Sequence, residues 1–288
     1  MTEAPRRYAY FPGCTLSTTA TDYDASGRAV AEALGLPLQD LPGWNCCGAT
    51  FPLSAENVMN LIAPARMLIA SEADGRELIT LCAVCFHVLR RTDHFLKTHT
   101  EAAERLNAFV DEGDFHGTTG VHHLLGVLRD DVGWEAVRRR VRLPLTGLRI
   151  APYYGCLLLR PKAEMGLDDP EAPTILHELI KALGAEAVSF PWQAECCGST
   201  LLVSEPKASN RLSKTVVESA RAAGAQMIVT ACPLCQYNLD TAQMGADPTA
   251  RLPIVYFTQA MAAALGLAEH AGPVPVPEAA VSVTARTQ

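Results

Sequence analysis

The sequence has few charged and few aromatic side chains. Of its 288 residues, 19% are charged and 6% are aromatic, with 24 basic against 31 acidic side chains and a net charge of −7. This acidic balance argues against nucleic-acid binding. No apolar run approaches the roughly 18 residues that a membrane span needs, and no apolar segment follows the first arginines as in a secretory signal. We therefore expect a cytoplasmic protein without a membrane span of its own.

The sequence also contains no Gly-x-Gly-x-x-Gly segment and no phosphate-binding loop. A flavin or a nucleotide would therefore have to come from another subunit. The apolar content, by contrast, is 49%, which is enough for a sizeable core and excludes disorder over most of the chain. The length fits either one large α/β domain or two domains of ordinary size.

Cysteine is abundant for a chain of this kind. In a reducing compartment disulfides are rare, so ten cysteines indicate metal or redox chemistry. They form two sets of the same order, each with a single cysteine, an adjacent Cys-Cys pair and a Cys-x-x-Cys motif, and the pair and the motif are equally far apart in both sets. The first set is Cys14, Cys46, Cys47, Cys82 and Cys85, and the second set is Cys156, Cys196, Cys197, Cys232 and Cys235.

The residues around the cysteines repeat as well. Phe11-Pro-Gly-Cys14 corresponds to Tyr153-Tyr-Gly-Cys156, and Asn45-Cys-Cys-Gly-Ala-Thr50 corresponds to Glu195-Cys-Cys-Gly-Ser-Thr200. The chain is therefore an internal duplication. We divide it into a first cysteine-rich domain with a connecting segment (residues 1–147), a second cysteine-rich domain (148–270) and a flexible, Pro-rich tail (271–288).

Each repeat is predicted to be an α/β unit. Aromatic and branched residues ended by glycine predict strands, and apolar residues at helical spacing predict helices. The predicted strands are 7–11, 78–81, 148–154 and 227–231, with short ones near Leu38 and Val188. The predicted helices are 25–34, 54–72 (kinked or broken at Pro64), 173–183 and 209–223, and segments 121–128 and 254–267 could add a strand and helix to each half.

This pattern places the cysteines on loops at the carboxyl ends of strands. The fold class is therefore α/β, with two pseudo-symmetric repeats that each form a small parallel, Rossmann-like sheet with helices. Ligands of such sheets bind at the carboxyl ends of the strands. The residues between 86 and 147 are expected to hold a longer, charged connection between the repeats.

Four roles for the cysteines can be weighed. Simple packing does not account for a duplicated set of five, and an adjacent Cys-Cys pair makes a strained disulfide. A structural zinc site is closed by four ligands, whereas soft thiolate groups with a Cys-x-x-Cys motif favour iron–sulfur clusters. Five thiols also exceed the four ligands of a cubane 4Fe-4S cluster. Either one thiol in each set is spare, or the cluster is not an ordinary cube.

With these motifs, the sequence resembles the CCG domain pair found in the B subunit of heterodisulfide reductase, over about residues 7–267. The resemblance implies two noncubane 4Fe-4S clusters, each held by one complete set of five cysteines. It also implies a catalytic iron–sulfur subunit that reduces a disulfide, or oxidises thiols or sulfur-carrier substrates, at the cluster irons. The implied partners are a ferredoxin-like C subunit and a flavoprotein A subunit.

The composition, rich in Ala and Arg, favours the bacterial branch of that family, which handles sulfur oxidation or carrier-bound thiols. Two other functions stay open. Some CCG proteins are electron-relay subunits of lactate, glycerol-3-phosphate or succinate dehydrogenases, and a zinc-stabilised scaffold without redox activity would also use the thiols.

A few other side chains are candidates for the site. His87, after the first Cys-x-x-Cys motif, and His122, with His123 at the start of a predicted helix, are candidate proton donors because histidine titrates near neutral pH. A packed or solvated histidine is the alternative. Charged residues that could line a pocket, or could simply be solvated, are Asp22, Asp24, Lys162 and Glu195, and the basic run 138–140 fits a solvated helix face or a docking surface.

Overall fold

The computed structural model describes residues 8–49 and 58–275. Within these residues, none of the helices has the length and hydrophobicity that crossing a bilayer requires. The chain forms two halves of the same design, each with a four-stranded parallel sheet and helices.

The first half contains strands β1 to β4 and helices α1 to α7, which alternate along the chain. In order these are β1 (Tyr8–Tyr10), α1 (Gly13–Leu16), α2 (Thr21–Ala33), β2 (Gln39–Asp40), α3 (Ile62–Asp74), β3 (Glu77–Thr80), α4 (Ala83–Thr98), α5 (Thr100–Asn107), β4 (Val121–His123), α6 (Leu124–Val127) and α7 (Trp134–Arg140). A 3-10 turn at Val58–Leu61 precedes α3, and a π-helical turn at Leu128–Val132 follows α6.

The second half repeats this alternation with strands β5 to β8 and helices α8 to α12. In order these are β5 (Arg149–Tyr153), α8 (Lys162–Met165), α9 (Ile175–Ala182), β6 (Glu186–Ala187), α10 (Pro206–Ala222), β7 (Met227–Thr230), α11 (Pro233–Thr241), β8 (Ile254–Tyr256) and α12 (Phe257–Leu265). Single 3-10 turns lie at Ser199–Leu201, Pro248–Ala250 and Ala268–His270.

The two sheets have the same strand order, β2-β1-β3-β4 and β6-β5-β7-β8. All neighbours are parallel, with Ala9 opposite Leu78 in the first sheet and Ala151 opposite Ile228 in the second. The central strands are almost fully buried, which fits a parallel sheet covered by helices on both faces. The predicted α/β duplication is therefore confirmed.

Several element boundaries differ from those predicted. Helix α2 begins at Thr21, four residues before the predicted start, and its first turn carries Asp22 and Asp24, which favour a helix N-terminus. Pro64 lies in the first turn of α3, where its missing N–H breaks no helical hydrogen bond, so it marks the start of that helix. The segment predicted as a connection, 86–147, is largely helical. The additional strand and helix expected in each half are present, as β4 and α6 within 121–128 and as β8 and α12 within 254–267.

The last helices of the two halves are exchanged. Helix α12, which follows β8, packs against α2 of the first half, and α7, which follows β4, packs against α9 of the second half. The hydroxyl groups of Ser26 and Thr258 are 2.6 Å apart, and the Trp134 indole N–H donates to Glu178 at 2.8 Å. The halves thus share a reciprocal interface.

The chain end after α12 continues along the core for a few residues. Ala271 and Val274, at the beginning of the predicted tail, are buried. The rest of the predicted tail, residues 276–288, lies outside the described residues. Residues 1–7 and 50–57 also lie outside them, and these contain the first residue of predicted strand 7–11 and the first four residues of predicted helix 54–72.

Candidate metal centre

In each half the five cysteines follow the carboxyl ends of three neighbouring strands. Cys14 lies in α1 after β1, the Cys46-Cys47 pair follows β2, and Cys82 is the N-cap of α4 after β3. Cys85 lies in the first turn of α4. Because parallel strands end at one edge of the sheet, three stretches far apart in sequence bring their thiols to one place. The predicted position of the cysteines is confirmed, with α1 and α4 supplying helical turns where loops were expected.

The thiols of the first half form an unbroken row. The sulfur of Cys46 lies 3.9 Å from that of Cys14, and the sulfur of Cys47 lies 3.6 Å from that of Cys85. Cys46 contacts Cys47, and Cys85 contacts Cys82, through their thiols. The first thiol row therefore runs Cys14, Cys46, Cys47, Cys85, Cys82.

The thiols of the second half form the same row. Cys197 and Cys235 have their sulfurs 3.5 Å apart, and thiol contacts also join Cys156 to Cys196, Cys196 to Cys197, and Cys235 to Cys232. The second thiol row therefore runs Cys156, Cys196, Cys197, Cys235, Cys232. The duplication thus extends from the sequence to the order in which the sulfurs meet.

The sulfur spacing fits thiolates that share tetrahedral metal ions. With a metal–sulfur bond of about 2.3 Å, two ligands of one tetrahedral ion lie about 3.8 Å apart, close to the 3.5 to 3.9 Å between neighbouring sulfurs here. In the part of the chain that the structure describes, no three His, Cys, Asp or Glu side chains surround a single ion position.

In each row the last three thiols are buried and the first two are at least partly exposed to solvent. Cys47, Cys82 and Cys85 are buried, as are Cys197, Cys232 and Cys235 in the second half, whereas Cys14 and Cys46 are exposed and Cys156 and Cys196 are half-buried. Buried thiolates require a cationic partner, because charge away from water is costly. A soft cation such as iron supplies that charge, so the donor set fits an iron–sulfur centre.

Hydrogen bonds between the thiols polarise each row. The hydrogen bond with Cys85 lowers the pKa of Cys47, and hydrogen bonds with Cys156 and Cys197 lower the pKa of Cys196. Contact with a neighbouring thiolate and burial together raise the pKa of Cys85 well above its ordinary value. Without metal, each row therefore cannot carry five negative charges.

Two glycines let the backbone approach the thiols. Gly13 and Gly155 precede the first cysteine of each set and have φ angles of +73° and +64°, which side-chain-bearing residues rarely adopt. A Cβ on Gly13 would lie 2.8 Å from the Cys85 sulfur, and one on Gly155 would lie 3.2 Å from the Cys235 sulfur. Glycine at these positions therefore makes room for the rows.

The two sites are joined directly through the backbone. The amide of Ala83, which follows Cys82, donates to the carbonyl oxygen of Ala231, which precedes Cys232, at 3.1 Å. The Tyr23 hydroxyl donates to the Leu81 carbonyl oxygen at 2.6 Å and lies 3.3 Å from the Ala231 carbonyl oxygen. The Tyr23 ring also stacks on Tyr256, with centroids 4.0 Å apart. Tyr23 thus contacts both Cys-x-x-Cys segments.

The two predicted proton donors occupy different surroundings. His87 is buried and donates from Nδ1 to the carbonyl oxygen of Leu157, next to Cys156, at 3.1 Å. Burial lowers the pKa of His87, so the imidazole is neutral at neutral pH. His122 pairs with Glu77 on the neighbouring strand and packs edge-on against Tyr8. Their roles in proton transfer remain predictions.

His123 lies nearer to a cysteine loop than the sequence indicated. His122 lies within strand β4, whereas His123 ends that strand and is also the N-cap of α6. The predicted place at the start of the helix therefore holds for His123 and not for His122. The Nδ1 of His123 accepts from the Leu125 amide, so Nε2 carries the proton and donates to the Leu81 carbonyl oxygen at 2.8 Å. Burial lowers the pKa of His123 to about 4. The alternation of side chains along β4 decides which histidine faces inwards.

The other charged candidates have partners in the fold. Asp22 accepts from Gln259 of α12, Asp24 pairs with Arg28, and Lys162 pairs with Asp169, all at 2.7 to 2.9 Å. Arg138 pairs with Glu135 on α7. The backbone carbonyl of Glu195 accepts from the Tyr153 hydroxyl at 2.7 Å. The side chains of Asp22, Asp24, Lys162 and Arg138 thus have polar partners in the helices and loops around the rows, whereas Glu195 takes part through its backbone.

Sequence reasoning missed Tyr23 and Asn238 at these sites. Asn238 lies on α11, and its amide nitrogen is 3.4 Å from the Cys197 carbonyl oxygen and 3.9 Å from the Cys197 sulfur. Its position three residues after Cys235, on the helix that begins with the motif, was the available signal, because residues three apart share a helix face. No local signal marks Tyr23, which lies far in sequence from Leu81 and Ala231.

Comparison with known proteins identifies related chains. The family described as the CCG cysteine-rich domain matches residues 8–90 and 150–240. The chain is 33% identical over 268 residues to the 8-methylmenaquinol:fumarate reductase membrane anchor subunit of Wolinella succinogenes, covering 91% of this chain and 93% of that protein. It is 32% identical over 272 residues to a protein of Archaeoglobus profundus that is named as similar to the B subunit of heterodisulfide reductase, covering 90% and 91%.

A solved structure shares the fold. The crystal structure of a hypothetical protein from Helicobacter pylori superposes with a TM-score of 0.71 and 14% sequence identity, covering 92% of this chain. This chain spans 50% of the length of that protein. At this identity the likeness concerns the fold alone.

Proposed function

The chain belongs to the CCG cysteine-rich domain family, with two copies of the domain, and on that premise we propose that it is the catalytic iron–sulfur subunit of a complex like heterodisulfide reductase. CCG domains of these relatives imply iron–sulfur clusters, and an oxidoreductase subunit follows from that. The finer proposal is that the protein reduces a disulfide, or oxidises thiols or carrier-bound sulfur, at two noncubane 4Fe-4S clusters.

The observation that carries this proposal is the pair of five-membered thiol rows. In each row the five thiols contact one another in series, and the sulfurs of Cys14 and Cys46, of Cys47 and Cys85, and of Cys197 and Cys235 lie 3.5 to 3.9 Å apart, close to the spacing of two ligands on one tetrahedral ion. We assign all ten cysteines as ligands, one set to each cluster. When bound, an iron–sulfur cluster supplies one-electron transfer.

The fold would shield one end of each centre from solvent and leave the other end accessible to a substrate. Cys82 and Cys85, at one end of the first row, are buried, and Cys14 and Cys46, at the other end, are exposed. A small sulfur substrate would therefore approach from the side of Cys14 and Cys46, or of Cys156 and Cys196 in the second half. The buried ends would exclude water from the centres.

The stoichiometry of disulfide chemistry supports a pair of centres. Cleavage of a disulfide consumes two electrons and releases two thiolates, while each cluster transfers one electron at a time. The hydrogen bond between Ala83 and Ala231 holds the two Cys-x-x-Cys segments in direct contact. Two such centres in one chain would together supply the two electrons in one-electron steps.

The proposal requires partner subunits. The relatives named after heterodisulfide reductase are, by those names, components of multi-subunit enzymes, and the sequence has no nucleotide-binding loop of its own. We propose a ferredoxin-like C subunit and a flavoprotein A subunit as the electron donors or acceptors.

A second function, electron relay, is favoured by one comparison. The relative from Wolinella succinogenes is named as a subunit of a quinol:fumarate reductase, at an identity almost equal to that of the heterodisulfide reductase relative. In that case the clusters would pass electrons between other subunits and would not meet the substrate.

The test is an iron analysis followed by ligand spectroscopy. Anaerobically reconstituted full-length protein should contain about eight irons, the number in two 4Fe-4S clusters. A change in the electron paramagnetic resonance (EPR) spectrum on adding a small thiol or disulfide supports catalysis at the clusters, whereas an unchanged spectrum supports relay. A colourless protein that carries zinc would instead establish the scaffold function and refute both.

A further inference from the structure

The two thiol rows differ in one buried side chain. It lies on the helix that begins at each Cys-x-x-Cys motif, three residues after the second cysteine of the motif. Asn238 lies three residues after Cys235 on α11, and the corresponding residue, three after Cys85 on α4, is Val88. Both are buried, with exposures of 4% and 1%. A buried asparagine therefore stands in the second half where the first half has a side chain without hydrogen-bonding groups.

The Asn238 amide nitrogen is directed at Cys197. It donates to the Cys197 carbonyl oxygen at 3.4 Å and to the Ser209 hydroxyl at 3.3 Å, and the Cys197 sulfur lies 3.9 Å away. A carbonyl oxygen can only accept a hydrogen bond, so the atom that faces Cys197 is the nitrogen. Cys197 is the central thiol of the second row, and its backbone carbonyl also accepts from the Ser213 hydroxyl at 2.7 Å.

This orientation leaves the other end of the side chain without a partner. The Oδ1 atom of Asn238 is buried, and within the described structure it accepts no hydrogen bond. An unsatisfied buried acceptor destabilises the fold, and an apolar residue such as Val88 avoids this cost. An unsatisfied buried group in a native fold calls for an explanation beyond packing.

A second pair of corresponding residues differs in the same sense. Tyr153 lies before the second row where Phe11 lies before the first. The Tyr153 hydroxyl donates to the backbone carbonyl oxygen of Glu195, next to Cys196, at 2.7 Å. Polar groups thus back the second row at two positions where the first row has apolar ones.

We propose that Asn238 is a positioning residue that raises the reduction potential of the centre held by the second row; the proposal rests on the iron–sulfur function above. When that centre takes up one electron, negative charge on its sulfurs increases. An N–H dipole directed at the Cys197 sulfur stabilises the more negative state, and hydrogen bonds to cluster sulfurs are among the factors that set such potentials. Asn238 forms and breaks no covalent bond in this step.

The test measures the midpoint potentials of both centres in the full-length, anaerobically reconstituted protein. Asn238→Leu keeps the branched shape of the side chain and removes the N–H donor. One-electron reduction of a single centre should become about tenfold less favourable, which is a shift of about 59 mV to more negative potential, while the other centre is unchanged. A mediated reductive titration followed by EPR separates the two.

Ser209→Ala is the matched control, because it removes another partner of Asn238 and leaves the Cys197 contact in place. Both midpoints should then match those of the wild-type protein. A shift in Ser209→Ala as large as in Asn238→Leu would overturn the proposal, since the effect would then come from packing. Unchanged midpoints in an iron-loaded Asn238→Leu protein would overturn it as well.

The reciprocal variant Val88→Asn introduces an amide donor at the corresponding position of the first half. It tests the proposal if Asn238→Leu binds less iron than the wild type. It should move the midpoint of the first-half centre to more positive potential, and an unchanged midpoint in an iron-loaded Val88→Asn protein would overturn the proposal. Iron analysis of the wild type comes first. A wild-type chain without iron refutes the proposed function and this assignment together, whereas iron-loaded protein without a shift refutes the assignment alone.

Discussion

The backbone amide of Ala83 donates to the carbonyl oxygen of Ala231 at 3.1 Å. Each of these residues is the immediate neighbour of the first cysteine in a Cys-x-x-Cys motif, so the hydrogen bond joins the two candidate metal centres across the interface of the two halves. Tyr23 strengthens this junction, since its hydroxyl contacts the carbonyl oxygens of Leu81 and Ala231. The exchanged packing of α2 and α12 places Tyr23 there.

We predict that Tyr23→Phe weakens the junction of the halves. The variant keeps the ring stacked on Tyr256 but leaves the buried carbonyl oxygens of Leu81 and Ala231 with one donor fewer. Both oxygens keep another donor, His123 and the Ala83 amide, so the free energy of unfolding should fall by about 0.5–1.5 kcal/mol, the net value of one hydrogen bond. Urea unfolding followed by circular dichroism measures this change.

Tyr237→Phe is the control for Tyr23→Phe. Tyr237 is 54% exposed on α11, so its hydroxyl is satisfied by water and its loss should leave the unfolding free energy within about 0.5 kcal/mol of the wild type. Equal effects of the two substitutions would show that the Tyr23 hydroxyl has no special part in joining the halves.

The glycines before the first cysteine of each set should be required for metal binding. Ala at Gly13 would introduce a Cβ 2.8 Å from the Cys85 sulfur at a φ of +73°. We expect Gly13→Ala to displace Cys85 from the first row and to lose about half of the iron, because one of two proposed clusters is affected. Iron analysis after anaerobic reconstitution measures the loss.

Gly35→Ala separates backbone strain from thiol displacement. Gly35 has a φ of +79°, close to that of Gly13, but a Cβ there meets nothing within 4 Å. The variant should lose about 1 kcal/mol of stability from the left-handed backbone and keep its iron. If Gly13→Ala also kept all its iron, the close contact with Cys85 would have no importance for the site.

Substitution of the central cysteines tests whether five thiols bind each cluster. Cys47 and Cys197 occupy the middle of the two rows and contact Cys85 and Cys235. If each cluster is noncubane with five ligands, Cys47→Ser and Cys197→Ser should each alter the EPR spectrum of one centre and leave the other unchanged. An ordinary cubane cluster needs only four thiolates, so unchanged spectra in both variants would refute the five-ligand assignment.

Stability should decrease in acid because of His123. Its pKa is lowered from 6.5 in the unfolded chain to about 4 in the fold by burial. The unfolded chain therefore binds the proton more readily, and the contribution of neutral His123 is complete above pH 6.5 and is lost as the pH falls towards 4. The loss should be about 1.4 kcal/mol for each pH unit below 6.5 in that window.

His123→Gln removes this titration and keeps an N–H group for the Leu81 carbonyl oxygen. The difference in unfolding free energy between wild type and variant should narrow by about 1.4 kcal/mol between about pH 7.5 and about pH 5.5, as measured by urea unfolding. A difference that stays constant over this range would contradict the buried, neutral state of His123. Other groups that titrate in this range are common to both proteins and cancel.

Much of the fold could be predicted because its signals are local. Runs such as Leu78 to Leu81 and Met227 to Ala231 are mostly apolar, and each is followed directly by its Cys-x-x-Cys motif. The boundaries were harder, as at α2, where the acidic first turn extends the helix beyond its apolar stripe. The edge strand β4 depends on pairing with β3, so its three residues gave a weak local signal.

The sequence by itself determined which residues form the candidate centres. Ten cysteines in two equal sets, with matching neighbours, need no tertiary structure to be recognised, because their spacing along the chain records the duplication. The positions of Gly13 and Gly155 before the first cysteines belong to the same local pattern.

Only the tertiary structure decided how the sets are arranged and joined. The order of sulfurs in each row, the contact of Tyr23 with both motifs, the inward position of His123 and the approach of Asn238 to Cys197 arise from strands and helices that meet across long stretches of chain. The exchanged helices bring the halves together, and hydrogen bonds between distant residues then fix the distances. Such contacts leave no local pattern of residue spacing, since they depend on how whole elements pack.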